Sequence, residues 1–358
     1  MTGEAANTTQ FLLCSNCFVD EGLRIDSWKH GVEQEGKCPN CKSPDGKKLT
    51  KEHILGIAHR FFVNGTTFRF DYGAAPRVQC NEHHYGKSDI SPSAWLRNDV
   101  KLIEDAANIG FFHYGPRFWM FGEVAPLKAL QDPVTRPQII ERVLKEYPER
   151  ILAKDELFYR VRVNPQRPAE PDEYDSPPLN VAEKGRLNSA GFAVMYSSQD
   201  IDICIHECRA TAEDDMYVAT LRPVRGLRLL DLTAVLKEDV TEFESLDMAI
   251  HMLFLAKPHS YEISRDIAIA ARGAGFDGII YPSYFSLLRT GGRPFETAYG
   301  LSLRRFHPQA EQYAKAYMIP NFALFGRPIE QSSVTVKCIN RMILTQIGYL
   351  GHFGPVAF

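Results

Sequence analysis

The sequence predicts an α+β protein, a mixed β-sheet core with flanking helices, preceded by a small metal-held module and a helical module. Three observations predict it. Two Cys-x-x-Cys pairs, Cys14/Cys17 and Cys38/Cys41, open the chain. Apolar residues at helical spacing follow. From about residue 152, strand-like and helix-like segments then mix without the regular strand-helix repeat of a doubly wound sheet. The division that results is 1–48, 49–150, 151–345 and a tail over 346–358.

Composition sets the class. Of 358 residues, 44% are hydrophobic and 24% charged, which is enough apolar surface to build a core. The formal net charge is -3, so no global positive field favours nucleic acid or an anionic membrane. No window reaches the roughly eighteen apolar residues that span a bilayer, and the opening Met-Thr-Gly-Glu lacks the basic and apolar regions of a signal peptide. A cytoplasmic protein with no membrane partner is expected.

The first module rests on its cysteines. Residues 18 to 37 separate the two pairs, a spacing that lets two short knuckles close a tetrahedral thiolate site. Four thiolates leave no open coordination position, so Cys14, Cys17, Cys38 and Cys41 are read as ligands of one structural zinc ion in a zinc ribbon. Cys80, His83 and His84 lack a second pair and are read as loop residues.

In the second module Thr50 caps a helix carrying Ile54, Ile57, Phe61 and Phe62 on one side. A second helix is expected from Ser93 to about Ala107, stopping near Gly110. The aromatic run from Phe111 to Phe121 is read as a packing seam rather than a base-stacking platform. Thr135 and Gln138 form a capping box for a helix ending at Tyr147-Pro148.

The third begins with a strand over 158–163, in which Tyr159, Val161 and Val163 face one way and Arg160 and Arg162 the other. Residues 164–183 are proline-rich and acidic, a loop or flap. A turn over Gly185–Gly191 leads to a strand over 192–196, and Ser198 is expected to cap a helix through Ile203, Glu207 and Ala210. Further strands are expected at 216–221, 227–232, 276–281, 321–325 and 334–339, with helices at 246–255 and 263–272. Glycine-rich nucleotide loops, Gly-x-Ser-x-Gly and His-Glu-x-x-His are all missing. Arg160, Arg186, Glu207 and Ser283 stand out because each lies at the edge of a regular element. Helical spacing puts Glu207 on the border of the stripe made by Ile201, Cys204, Ile205 and Cys208.

Six segments, Phe158-Tyr-Arg-Val-Arg162, Gly185-Arg-Leu-Asn188, Val194-Met-Tyr-Ser-Ser198, Ile205-His-Glu-Cys-Arg209, Gly275-Phe-Asp-Gly-Ile-Ile-Tyr-Pro-Ser283 and Asn321-Phe-Ala-Leu-Phe325, resemble in order the RES domain family. That family is named for its Arg, Glu and Ser. The resemblance covers residues 152 to 340, and Leu187 stands where many members carry Trp. It implies a fold like that of ADP-ribosyltransferases and an NAD-degrading toxin or anti-phage effector, a glycohydrolase or phosphorylase acting on the nicotinamide-ribose bond. NAD would be substrate, and zinc the structural ion. Arg160, Arg186, Asn188, Tyr196 and Ser283 would bind NAD. Glu207, Arg160, Tyr196 and Ser283 would be catalytic: Glu207 would stabilise charge on the ribose, and Tyr196 would offer a ring face to nicotinamide.

Such an enzyme would harm its host unless restrained, so an antitoxin, another regulatory protein or a homo-oligomeric assembly is expected as partner. Two other readings compete. One is an ADP-ribosyltransferase modifying a protein or nucleic acid. The other is a nucleic-acid-binding adaptor with an inactive RES-like domain, supported by the ribbon alone, since the small patch of Lys47, Lys48 and Lys51 is read as solvated surface.

Overall fold

The structure, a computed structural model, describes residues 10–70, 73–81, 88–113, 124–178, 185–241, 243–255, 260–286, 297–298, 301–302, 318–348, 351 and 353–358. The chain folds as two units, one of 1–69, 74–119 and 350–358, the other of 70–73 and 120–349. The expected ribbon and the first half of the expected helical module therefore belong to one unit. The helices over 125–146, expected with that module, pack into the second.

In the first unit, β1 (Phe11–Cys14) pairs antiparallel with β2 (Lys48–Thr50). Between the two cysteine pairs runs α1 (Glu21–His30), started by Asp20, whose carboxylate accepts from Leu23 N at 3.0 Å. Thr50 caps α2 (Lys51–Ala58) as its sequence requires, accepting from His53 N. Ile54, Ile57, Phe61 and Phe62 are buried. The second helix, α3 (Arg97–Ala107), starts later than Ser93 and ends at Ala107 as expected, because Asn108 takes a left-handed φ of 56°. Asp99 on α3 is buried and accepts from Val19 N and Asp20 N, which holds the start of α1.

Cys80 is a correction to the loop reading: it lies in β3 (Val78–Asn81), which pairs with β4 (Gly110–His113). His83 and His84 lie outside the described residues, as do residues 114–121 of the aromatic run. Its first member, Phe111, is buried against Phe62 with ring centroids 4.5 Å apart. Phe358 returns to pack on this same core.

The second unit is built on an eight-stranded mixed sheet. Its strands are β5 (Glu149–Leu152), β6 (Phe158–Val163), β7 (Val194–Ser198), β8 (Met216–Pro223), β9 (Leu227–Asp231), β10 (Gly278–Pro282), β11 (Pro320–Phe325) and β12 (Val334–Met342). Their order across the sheet is β12-β8-β6-β7-β11-β10-β9-β5. Only β9 and β10 run parallel; the crossover between them carries α7 (Leu246–Leu255) and α8 (Tyr261–Gly273). The expected α+β core, a mixed sheet with flanking helices, is what the chain forms.

One sheet face, with Val194, Ile279, Ala323 and Phe325, is covered by α4 (Ala125–Gln131), α5 (Arg136–Glu146), α7 and α8. The other, with Met195, Ile280, Phe322 and Leu324, packs against Tyr174. Gly278 is demanded by this packing, because a Cβ there would sit 2.4 Å from Ala323 O. Two caps differ from expectation. Thr135 makes no side-chain cap; its hydroxyl donates to Ala129 O instead. Ser198 ends β7 and donates to Pro320 O, and Asp200 caps the next helix, α6 (Ile201–Cys208), by accepting from Ile203 N. No described helix is long and apolar enough to cross a membrane.

Candidate functional site

The four ribbon cysteines converge. Their Sγ atoms all lie within 4.8 Å of one another. Cys14 and Cys17 are 3.8 Å apart, Cys14 and Cys41 3.5 Å, and Cys17 and Cys38 3.5 Å. A zinc ion bound at about 2.3 Å to four sulfurs would set them about 3.8 Å apart, so the residues fit a tetrahedral metal. A supporting layer is also present: Cys17 Sγ accepts from Cys14 N at 3.4 Å and from Asn40 Nδ2 at 3.5 Å. Burial pushes the Cys38 thiol up, but backbone N–H groups of Cys41 and Asn40, among other donors, outweigh it and bring it down to about 7. Gly46, at φ +89°, makes the turn beside the first knuckle, where a Cβ would meet Asn16 and Ser15 at 3.0 Å.

In the second unit Glu207, Ser283 and Asn321 meet at the end of the sheet where β10 finishes and β11 begins. Two thiols seat α6 on β6: Cys204 Sγ donates to Tyr159 O and, one turn later, Cys208 Sγ to Val161 O. Glu207 sits beside them on the last turn, exposed to solvent, and Arg209 ends the helix at φ 52°. This is the border position its helical spacing requires. Ser283 Oγ donates to Glu207 Oε1 at 2.8 Å and Asn321 Nδ2 donates to the same oxygen at 2.7 Å. Both donors are buried, at 4% and 3% exposure, so the carboxylate reaches from solvent to a fixed pair of groups.

Tyr281 lies beside this pair, across from Asn321 in the ladder and hydrogen-bonded to its side chain. Burial and then the Glu207 charge push its phenol well above 10, against the opposing pull of Arg186 and Asn321, so it stays a neutral donor. Tyr281 stacks on Phe254 at 5.3 Å, and the Arg186 guanidinium lies 5.8 Å from Phe254 and 4.6 Å from Tyr261. The site thus runs from a carboxylate at Glu207, past an aromatic wall, to a guanidinium at Arg186.

Tyr196 closes the same face of the sheet through its hydroxyl, which donates to Asn188 Oδ1 at 2.7 Å and accepts from Leu187 N at 3.0 Å. Burial pushes this phenol up to about 12. Its hydroxyl and Asn188 are therefore engaged in fixing the Gly185–Asn188 turn that carries Arg186.

Arg160 is elsewhere. It leaves β6 on the face opposite α6, beside Phe158, and its guanidinium fills the gap where β6 and β7 part after the pair Tyr159↔Ser198. It donates to Tyr196 O at 2.7 Å and Asp175 O at 3.2 Å, and is 7% exposed. Arg162 donates to Asp175 O and Glu173 O. The two arginines bolt the segment 173–175, in the middle of the expected flap, onto the sheet. Burial, and next the like charge of Arg162, pull the Arg160 guanidinium down to about 9. No described bond joins Arg160 to Glu207 or Arg186.

The structure thus brings together Glu207 and Ser283, and separately Arg186, Asn188 and Tyr196, with Tyr281 between the two groups. Asn321 and Tyr281 lie in the RES-like motifs, but sequence alone gives neither a role. The legible signal for Asn321 was an amide opening an otherwise apolar strand.

Residues 157–323 match the model of the RES domain. The crystal structure of the M. tuberculosis MbcT-MbcA toxin-antitoxin complex matches at 12% identity over 57% of this chain and 91% of that chain, with a TM-score of 0.32. No curated protein matches the sequence. The matched segment, just under half of the chain, contains Arg160, Arg186, Asn188, Tyr196, Glu207, Tyr281, Ser283 and Asn321, and over it the chain is similar to the RES domain.

Proposed function

We propose that this RES domain cleaves the nicotinamide-ribose bond of NAD, that the protein acts as a toxin on cytoplasmic NAD, and that zinc holds the ribbon. The observation that carries the reading is Glu207, a solvent-facing carboxylate anchored through one oxygen by two buried donors, with Arg186 across an aromatic wall. That polarity suits a substrate with a cationic ring and sugar at one end and phosphates at the other.

The chemistry needs little more. When the C1′–N bond breaks, its electron pair goes to the pyridinium nitrogen and nicotinamide leaves neutral, so no general acid is required. Positive charge develops on the ribose, and a carboxylate beside it stabilises that transition state. Water then adds to C1′ and loses a proton, giving ADP-ribose; phosphate in its place gives the 1-phosphate. Arg186 would hold pyrophosphate, and Tyr281 supplies a neutral hydroxyl at the wall. Depletion of NAD harms a cell, which calls for a restraining partner such as an antitoxin.

The test is nicotinamide release from NAD by purified protein, wild type against Glu207→Gln. The amide oxygen of Gln can accept the same two hydrogen bonds, so the fold persists while the charge goes. A loss of about a thousandfold is expected, the order of a lost electrostatic stabiliser. Full activity in Glu207→Gln would sink the assignment, and transfer of label to a protein or nucleic acid would replace cleavage with ADP-ribosyl transfer.

A further inference from the structure

Among the described residues both hydrogen bonds to the Glu207 carboxylate fall on Oε1, and Oε2 has no partner. The asymmetry is informative because Glu207 occupies the last turn of a short helix and faces solvent. An untethered glutamate there would spread over several rotamers at little cost. The two donors are fixed far better than the acceptor. Ser283 is held by Phe285 N, which donates to its Oγ at 3.1 Å, and by its own N–H to Ile319 O at 3.0 Å. Asn321 lies in β11, paired to Ser198 on one side and Tyr281 on the other, so its backbone is held from both flanks. Its side chain grips Glu207 and Tyr281 together.

On the reading of Glu207 as the charge that faces the ribose, we propose that Asn321 is a positioning residue. It pins Oε1, jointly with Ser283, so that Oε2 is the atom presented to the substrate. An amide is the suitable group there. Aspartate would have the same shape but would set a second negative charge against Oε1, and an apolar residue would leave a buried acceptor short of a donor. The prediction is specific to turnover, since Asn321 itself is buried behind Glu207 and does not need to touch substrate to act.

The test uses the full chain with Asn321→Asp and, as a charge-free control on folding, Asn321→Ala. Nicotinamide release gives kcat and KM, and a crystal structure of each variant locates the Glu207 carboxylate. The expected result is a fall in kcat of about a hundredfold, the order seen when one positioned donor is lost, with KM within about threefold of wild type and Glu207 swung away from Ser283. A KM that rises while kcat holds overturns the inference, and so does a Glu207 that stays in place, whatever the rates. If wild type releases no nicotinamide, the NAD reading fails by itself. The position of Glu207 in the variants then still decides whether Asn321 positions it.

Discussion

The cysteine cluster and the carboxylate cluster are built on opposite plans. Cys14 and Cys41, its outermost members, are 27 residues apart, and the second knuckle closes on itself, Cys38 N donating to Ser43 O and Lys42 N to Cys38 O. Glu207 meets Ser283 across 76 residues and Asn321 across 114, through a helix and two neighbouring strands. The first cluster turns its four sulfurs inward on one point and leaves no atom over. The second saturates one oxygen of its carboxylate and leaves the other to solvent. A closed set of ligands stabilises; an open one is able to act on something that arrives.

The largest expected effect breaks this comparison on its structural side. If the cysteines hold zinc as a fold-forming ion, removing it costs the first unit about 10 kcal/mol or more, the scale of structural zinc binding. Cys38→Ser or dialysis against a strong chelator should then unfold residues 10–113, seen as lost amide protection there by hydrogen exchange. Metal analysis of the untreated protein should give one zinc per chain. Retention of protection in a metal-free protein would reduce the ribbon to four adjacent thiols.

The same contrast explains what was legible in the sequence. Cysteine spacing is a compact code, and the convergence of Cys14, Cys17, Cys38 and Cys41 that it predicts is what the structure shows. Helical periodicity likewise put Glu207 on the border of α6. Long-range partners were a different matter. That Ser283 and Asn321 would share one oxygen depends on β10 and β11 being neighbours in the sheet, and no pattern within either strand encodes which strand lies next to it. Caps failed for a related reason. Ser198 has the right chemistry to start a helix, but Pro320 O across the ladder captured its hydroxyl, and Asp200 took the cap. The edge strand β5 was passed over because Glu149–Leu152 alternates weakly, with one buried residue among four.

Arg160 sharpens the comparison at an intermediate magnitude. Strand alternation correctly set it apart from Tyr159 and Val161. Its partners, however, are carbonyls of β7 and of the segment 173–175, which period-two reasoning does not see. A residue that holds the sheet and loop together should act first on stability. Arg160→Met keeps the stem and removes the donors; it should cost about 3 kcal/mol, the scale of removing one partner of a buried charged hydrogen bond. The measurement is urea denaturation beside nicotinamide release. An unchanged midpoint with activity lost would return Arg160 to the substrate pocket.

Tyr196 should give the smallest effect, and it tests whether the second cluster has its own supporting layer as the cysteines do. Its hydroxyl spends one bond on Asn188 Oδ1 and one on Leu187 N, so the ring acts on the turn that presents Arg186. Tyr196→Phe leaves the ring in place and frees both groups. A loss of about 1 kcal/mol in stability is expected, with KM for NAD raised several-fold and kcat nearly kept if, as proposed, Arg186 binds phosphate and takes no part in bond cleavage. If kcat falls instead and KM holds, the Tyr196 hydroxyl touches the reacting ribose, and the catalytic part of the cluster extends from Glu207 across Tyr281 to β7.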